Sequence, residues 1–213
     1  MPDEVKRSDE RAADRLIFFS DAVVAIAITL LALDLPVPEG HNWHDFRKSF
    51  GDNSGHYVAF LISFWVISVA WSHHHDVFRY VERVDPRLRN LNLGWLLMII
   101  LNPFVTRTLT NQKHDELVIH ALKFGFYALL QGLAAVLLLA MIHHMISANL
   151  LEPGSPRLTD GDWASYGPIL AYGLSIPLFF LTTSGWVAWI VVPFLVGRVK
   201  FFRDARRRKA EAA

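Results

Sequence analysis

The sequence predicts an all-α integral membrane protein with six spanning helices, and three observations carry that prediction. Apolar residues make up 53% of the 213-residue chain. They fall into blocks rather than being scattered, and short charged connections separate the blocks. In lipid every backbone polar group must be satisfied within its own segment, so blocks of this kind read as helices. A spanning β-barrel would need alternating segments of roughly ten residues, and no such pattern is visible. The third observation is the distribution of charge. The net value of +1 says little, but the positions of Lys and Arg decide the number of spans.

The first block runs from about Leu16 to Leu35 and stops at Pro36-Val37-Pro38. It follows a polar stretch, residues 1–14, that lacks the look of a signal peptide, so the block is expected to remain in the mature protein. The second block runs from about Tyr57 to Phe78 and the third from about Leu91 to Leu109. The fourth lies within Leu117–Leu150 and is most apolar from Phe124 to Met141. The fifth covers about Trp163–Leu181 and the sixth about Trp186–Phe202. Each approaches the ~20 apolar residues that a hydrocarbon core requires. Only Thr182-Thr183-Ser184-Gly185 separates the last two, and both contain proline, so one long broken helix is the competing reading. The longest connection, from Pro36 to about His56, is polar and holds a candidate short helix from Trp43 to Phe50. No soluble domain is evident, and 1–213 reads as one membrane domain. A basic tail at 203–213 reads as a topology anchor touching anionic lipid.

Lys and Arg collect on the cytoplasmic side of membrane proteins. With six spans and a cytoplasmic N-terminus, sixteen of these residues fall inside and five fall outside (Arg47, Lys48, Arg107, Lys113 and Lys123). Five spans would put the Arg206-Arg207-Arg208-Lys209 run outside. Six spans with both termini cytoplasmic, in a plasma membrane, is therefore the expectation.

Several chemistries are excluded. The chain has no cysteine, which removes disulfides, thiolate catalysis and Cys-ligated metal. It has no P-loop, GxSxG or HExxH motif, no TVGYG-type filter and no Arg ladder. Nothing suggests an enzyme, a cofactor or a nucleic-acid partner. His73-His74-His75-Asp76 looks metal-binding at first sight. Successive helical residues point ~100° apart, however, and cannot converge on one ion. A hydrogen-bonding partner for Asp21 or Ser20 is the better reading. His143-His144 reads as interfacial. Asn92, in the third span, is of the type that bonds across to another helix.

Asp21 lies in the first turns of a spanning helix, where an acid either marks a pathway, pairs with a base or benefits from the helix dipole. With Ile26 set at zero and about 100° per residue, Ala22, Thr29, Leu30 and Leu33 fall within about 60° of it and Asp21 about 140° away. Two assignments stay open. Either the apolar face lines a pore and Asp21 braces neighbouring helices, or Asp21 lines the pore and the apolar stripe is packing.

The Arg15-x-x-x-Phe19-Ser20-Asp21 sequence, running into AVVAIAITLLALDLPVP, resembles the signature of the transmembrane protein 175 family of potassium channels. Trp71-x-x-His74, Arg-Asn-Leu-Asn-Leu around Asn92, and Pro103-Phe104-x-Thr106 are similar to its later motifs. The single six-helix unit is like that of the prokaryotic members. The resemblance implies a homotetramer with the first helix of each subunit lining a central pore, and potassium as the permeant ion. It implies a constriction at Ile26 with further layers at Leu30 and Leu33, and a selectivity role for Thr29. It implies that Arg15, Phe19, Ser20, Asp21, Trp71, His74 and Asn92 form a supporting network between helices. The membrane lipid and other copies of the chain are the remaining expected partners. A proton- or cation-coupled secondary transporter is the alternative, since buried acid and histidine suit proton coupling.

Overall fold

The computed structural model describes residues 2–110, 116–152 and 167–182, with 187, 189, 191 and 192; for residues 2–10 this is the backbone alone. The regular structure of the described part is helical, with short non-helical connections and one isolated bridge between Val81 and Leu151. Six helices are described: α1 (Pro2–Leu33), α2 (Trp43–Asp52), α3 (Ser54–Phe78), α4 (Pro86–Thr108), α5 (Leu117–Ser147) and α6 (Gly167–Phe179).

Helix α1 is 32 residues long, about 48 Å at 1.5 Å per residue, which is more than a bilayer core needs. The segment Arg11–Leu33 is the part apolar enough to cross, and the polar residues before it extend the same helix. Pro36 and Pro38 keep the backbone after Leu33 extended. Ser54–Phe78, Pro86–Thr108 and Leu117–Ser147 are also long and apolar enough to span. Asp85 caps α4 by accepting from Leu88 N at 2.7 Å, and Pro86 begins the helix, where its missing N–H costs nothing. Helix α4 continues through Pro103 to Thr108.

The six described helices are not the six expected spans. Helix α2 lies in the connection, α6 is the fifth block, and the sixth block, from Trp186 to Phe202, lies almost wholly outside the described residues, as does the 203–213 tail.

Alternate crossings place two ends. At the basal end the spanning part of α1 begins, α3 ends, α4 begins and α5 ends. At the distal end α1 stops, α2 lies, α3 starts and α4 stops. Helix α1 packs on α3 and α4, while α5 packs on α4 and α6. One core joins Val24, Ala27 and Leu31 to Ile67, Trp95, Ile99 and Met141. A second, nearer the distal end, joins Val105, Ala121, Tyr127, Ala128 and Phe179. Many large apolar side chains on the outer faces are exposed, among them Leu61, Trp65, Leu129 and Leu174. In water such a surface would be a liability, whereas lipid is its proper solvent. Association between helices in lipid then depends on close packing and interhelical hydrogen bonds.

Candidate functional site

The site is built on α1. Its spacing of Ser20, Val24, Ala27 and Leu31 repeats at helical periodicity, and all four are buried against α3 and α4. They lie about 100–160° around the helix from Ile26. The opposite stripe has no partner among the described residues. Ile26 is 58% exposed and Leu33 78%, and Ala22, Thr29 and Leu30 are exposed with them. Thr29 bonds Oγ1 to Ile26 O at 2.8 Å, which leaves its lone pairs open to the same face. Arg15 and Phe19 fall within about 20° of Ile26 on the wheel and are exposed as well.

A directed chain of hydrogen bonds ties α1 to its neighbours near the basal end. The Ser20 hydroxyl donates to Leu16 O at 2.8 Å, so its oxygen is free to accept. Asn92 Nδ2, from α4, donates to it at 2.9 Å. Asn92 Oδ1 must then be the acceptor facing His74 Nε2 of α3, 2.7 Å away, which puts the imidazole proton on Nε2. Ser20, Asn92 and His74 are all buried. The His74 ring is sandwiched between Phe78 and Trp95, with centroids at 4.0 and 4.3 Å. Beside this chain, Trp71 Nε1 donates to Asp21 Oδ1 at 2.8 Å, and His75 Nδ1 approaches Asp21 Oδ2 at 3.9 Å. Trp71 and His75 sit one turn apart on α3, with ring centroids 5.5 Å apart.

The structure therefore brings together Ser20, Asp21, Trp71, His74 and Asn92. It does not bring Arg15 and Phe19 into that network. Both belong to the exposed stripe, because Arg15 lies seven residues before Ala22 and Phe19 seven before Ile26, about two helical turns in each case. His73-His74-His75 points in three directions, and no group of three potential ligands converges on a metal position among the described residues.

Two further polar groupings were not anticipated. Asp34, at the distal end of α1, forms a two-pronged ion pair with Arg107 of α4. Beside it lies a cavity of about 260 Å³ that reaches Leu31, His56, Phe60, Pro103 and Thr106. The only sequence signal was an acid and a base at matching depths. Deeper in the bundle, Thr106 Oγ1 lies 2.8 Å from both Ser63 Oγ and Asn102 O, and Ser63 Oγ is 3.3 Å from the Tyr127 hydroxyl. Gln131 Nε2 donates to Asn102 Oδ1 at 2.9 Å. These buried groups join α3, α4 and α5, and the amides in mid-span were the signal for them.

At the basal surface His144 of α5 meets Asp85, Nε2 to Oδ2, at 2.7 Å. Partial burial pushes the Asp85 carboxyl up, but the Leu88 N–H and His144 outweigh it, and the net direction is below the usual carboxylate value.

Comparison with known proteins points to one family of channels. The family model described as "Endosomal/lysosomal potassium channel TMEM175" matches residues 15–103. A potassium channel of Streptomyces collinus is 36% identical over 144 residues, which cover 65% of this chain and 68% of that one. A potassium channel of Chamaesiphon minutus is 36% identical over 111 residues, covering 49% of this chain and 53% of its own. Among solved structures, the crystal structure of a lysosomal potassium-selective channel TMEM175 homolog from Chamaesiphon minutus superposes with a TM-score of 0.69. That match has 25% identity and covers 91% of this chain and 98% of the other.

Proposed function

This chain belongs to the TMEM175 family, and we propose that it is a potassium channel in which four copies surround a central pore lined by α1. It is a membrane conduit rather than an enzyme. The observation that carries the reading is the division of α1 into a buried stripe and an unpartnered one. Among the described residues one copy leaves Ala22, Ile26, Thr29, Leu30 and Leu33 exposed, and four copies around an axis would turn that stripe inward.

Ile26 then forms the constriction and Leu30 and Leu33 the layers beyond it. A ring of branched apolar side chains has no oxygen to replace the hydration shell of the ion, so it passes ions partly hydrated and gates by dewetting. Thr29 is the one side chain of the stripe between Ala22 and Leu33 that offers oxygen. That assigns it the discrimination among cations, which is modest without a carbonyl filter. Arg15 and Phe19 stand on the same stripe toward the basal mouth. The excess of Lys and Arg puts the basal end in the cytoplasm, in a plasma membrane with both termini inside. Ser20, Asp21, Trp71, His74 and Asn92 hold α1 from behind.

Purified protein in liposomes under a potassium gradient should give uncoupled flux and unitary current steps, with potassium favoured over sodium. Saturable, proton-coupled uptake without unitary steps would replace the channel by a transporter. Ile26→Asn should raise unitary conductance and weaken discrimination against sodium. Unchanged conductance would remove Ile26 from the pore.

A further inference from the structure

Helix α2 has no buried residue, yet it is not a uniformly polar helix. Trp43, Phe46 and Phe50 recur at spacings of three and four and make one exposed apolar stripe. His44 and Lys48 lie on other sides of the helix, and Arg47 flanks the stripe about 40° from Trp43. Arg47 and Lys48 form no ion pair among the described residues. A short helix with aromatic residues on one face and bases elsewhere is the sequence form of a helix lying in the plane of a membrane surface.

Its attachments place it there. A single residue, Asn53, separates α2 from the spanning helix α3, so its carboxyl end cannot leave the level at which α3 enters the bilayer. The Phe50 ring stacks on Tyr57, in the first turn of α3, with centroids 4.8 Å apart. Helix α2 also holds the connection from α1. Asn42 caps it by accepting from Asp45 N at 3.0 Å, and Ser49 Oγ accepts from Glu39 N at 3.0 Å. The strap runs so close that a Cβ on Gly40 would lie 2.4 Å from Phe46 N. The Tyr57 hydroxyl donates to Pro36 O at 2.9 Å. Helix α2 is thus bound to the distal ends of both α1 and α3, at the depth where hydrocarbon gives way to headgroups.

We infer that α2 is a membrane-surface anchor. Trp43, Phe46 and Phe50 seat in the boundary of the distal leaflet, while Arg47 and Lys48 reach the phosphates of phospholipid headgroups. Through Tyr57, Ser49 and the close-packed strap, this anchor fixes the distal end of the α1 helix relative to the bilayer. The inference rests on the spans and not on the channel reading, so failure of either leaves the other standing.

The absence of native cysteine makes the test direct. Single variants Trp43→Cys, Phe46→Cys, His44→Cys and Lys48→Cys of the full chain would carry a nitroxide label in phosphatidylcholine proteoliposomes. Collision with oxygen, which concentrates in hydrocarbon, is compared with collision with a water-soluble nickel chelate. The oxygen-to-nickel ratio at positions 43 and 46 should exceed that at 44 and 48 severalfold. Equal ratios at all four would put α2 in water and overturn the anchor. Low access to both reagents at 43 and 46 would mean that protein covers the stripe, and would overturn it equally. All four wild-type side chains are exposed, so labelling leaves the packed bundle intact, and the labels at 44 and 48 verify that the helix has formed.

Discussion

Ser20 has one hydroxyl proton and gives it to Leu16 O, which leaves its oxygen as the sole terminus for Asn92 Nδ2–H. Removing that terminus has a sharp consequence. In Ser20→Ala the Asn92 donor is buried with nothing to bond, which costs about 1–3 kcal/mol. Bonds between bilayer-embedded helices average only about 0.6 kcal/mol in double-mutant cycles, so a loss in the lower part of the range is expected. Denaturant unfolding in detergent measures it. Replacing the whole set, Ser20→Ala with Asn92→Leu and His74→Phe, should recover most of the loss, because no polar atom of the three is then orphaned. Equal stability of the single variant and wild type would show that Asn92 finds another acceptor. The residue scale is also where the sequence is hardest to read. A wheel separates Asp21 from Ile26 by angle alone, and that separation survives in the fold. It cannot say that the indole of Trp71 is the donor that reaches Asp21, because the pairing depends on how α3 is rotated against α1. Nor can it place Arg15 and Phe19. They were grouped with Ser20 and Asp21 by adjacency in a motif, whereas helical geometry turns them to the opposite face.

At the scale of elements, the apolar blocks were legible because lipid imposes a length, and the four long spans fall where hydropathy puts them. Their polar extensions were less legible. Residues 2–15 form helix continuously with the first span, since Glu, Lys, Arg and Ala favour helix without being apolar. Helix α4 shows how an end is set. Its cap, Asp85, accepts from Leu88 N and also meets His144 of α5, so one carboxylate both starts α4 and fastens α5 to it. Its folded-state pKa lies below the unfolded value of 3.8. The stabilisation is therefore fully present above the unfolded value and is lost as pH falls through the folded one. Asp85→Ala should lose the cap, about 0.5–2 kcal/mol, and lose the part of the acid-side stability change that Asp85 contributes. Asp85→Asn keeps a capping oxygen and should retain most of the stability at neutral pH while losing that same part. Thermal unfolding followed from pH 7 to pH 3 distinguishes the two. An Asp85→Asn variant as weakened as Asp85→Ala would show that the charge, not the cap, dominates.

For the whole molecule the informative quantity is which surface remains uncovered. Helix α1 offers two apolar faces of similar composition, and periodicity alone could assign either to the core. The fold resolves this by burying Ser20, Val24, Ala27 and Leu31, which leaves the Ile26 stripe for a neighbour. Lipid and a central axis are the two available neighbours for that stripe, and they differ in one measurable respect. Side chains around an axis meet their own copies. Side chains in lipid do not. With no cysteine in the chain, Ile26→Cys places thiols where four copies converge, and a disulfide forms when Cα atoms come within about 7 Å. Oxidation of the bilayer-embedded protein should give covalent dimers, because each thiol can pair only once. Leu133→Cys is the control. It is exposed on α5, a helix that packs on α4 and α6 away from α1, and it should remain monomeric. Dimers from Leu133→Cys with none from Ile26→Cys would move the axis to α5 and return α1 to the lipid. Dimers from Ile26→Cys alone would place the stripe at the axis, and the apolar constriction would follow from its sequence, since no other group on that face stands at the same depth.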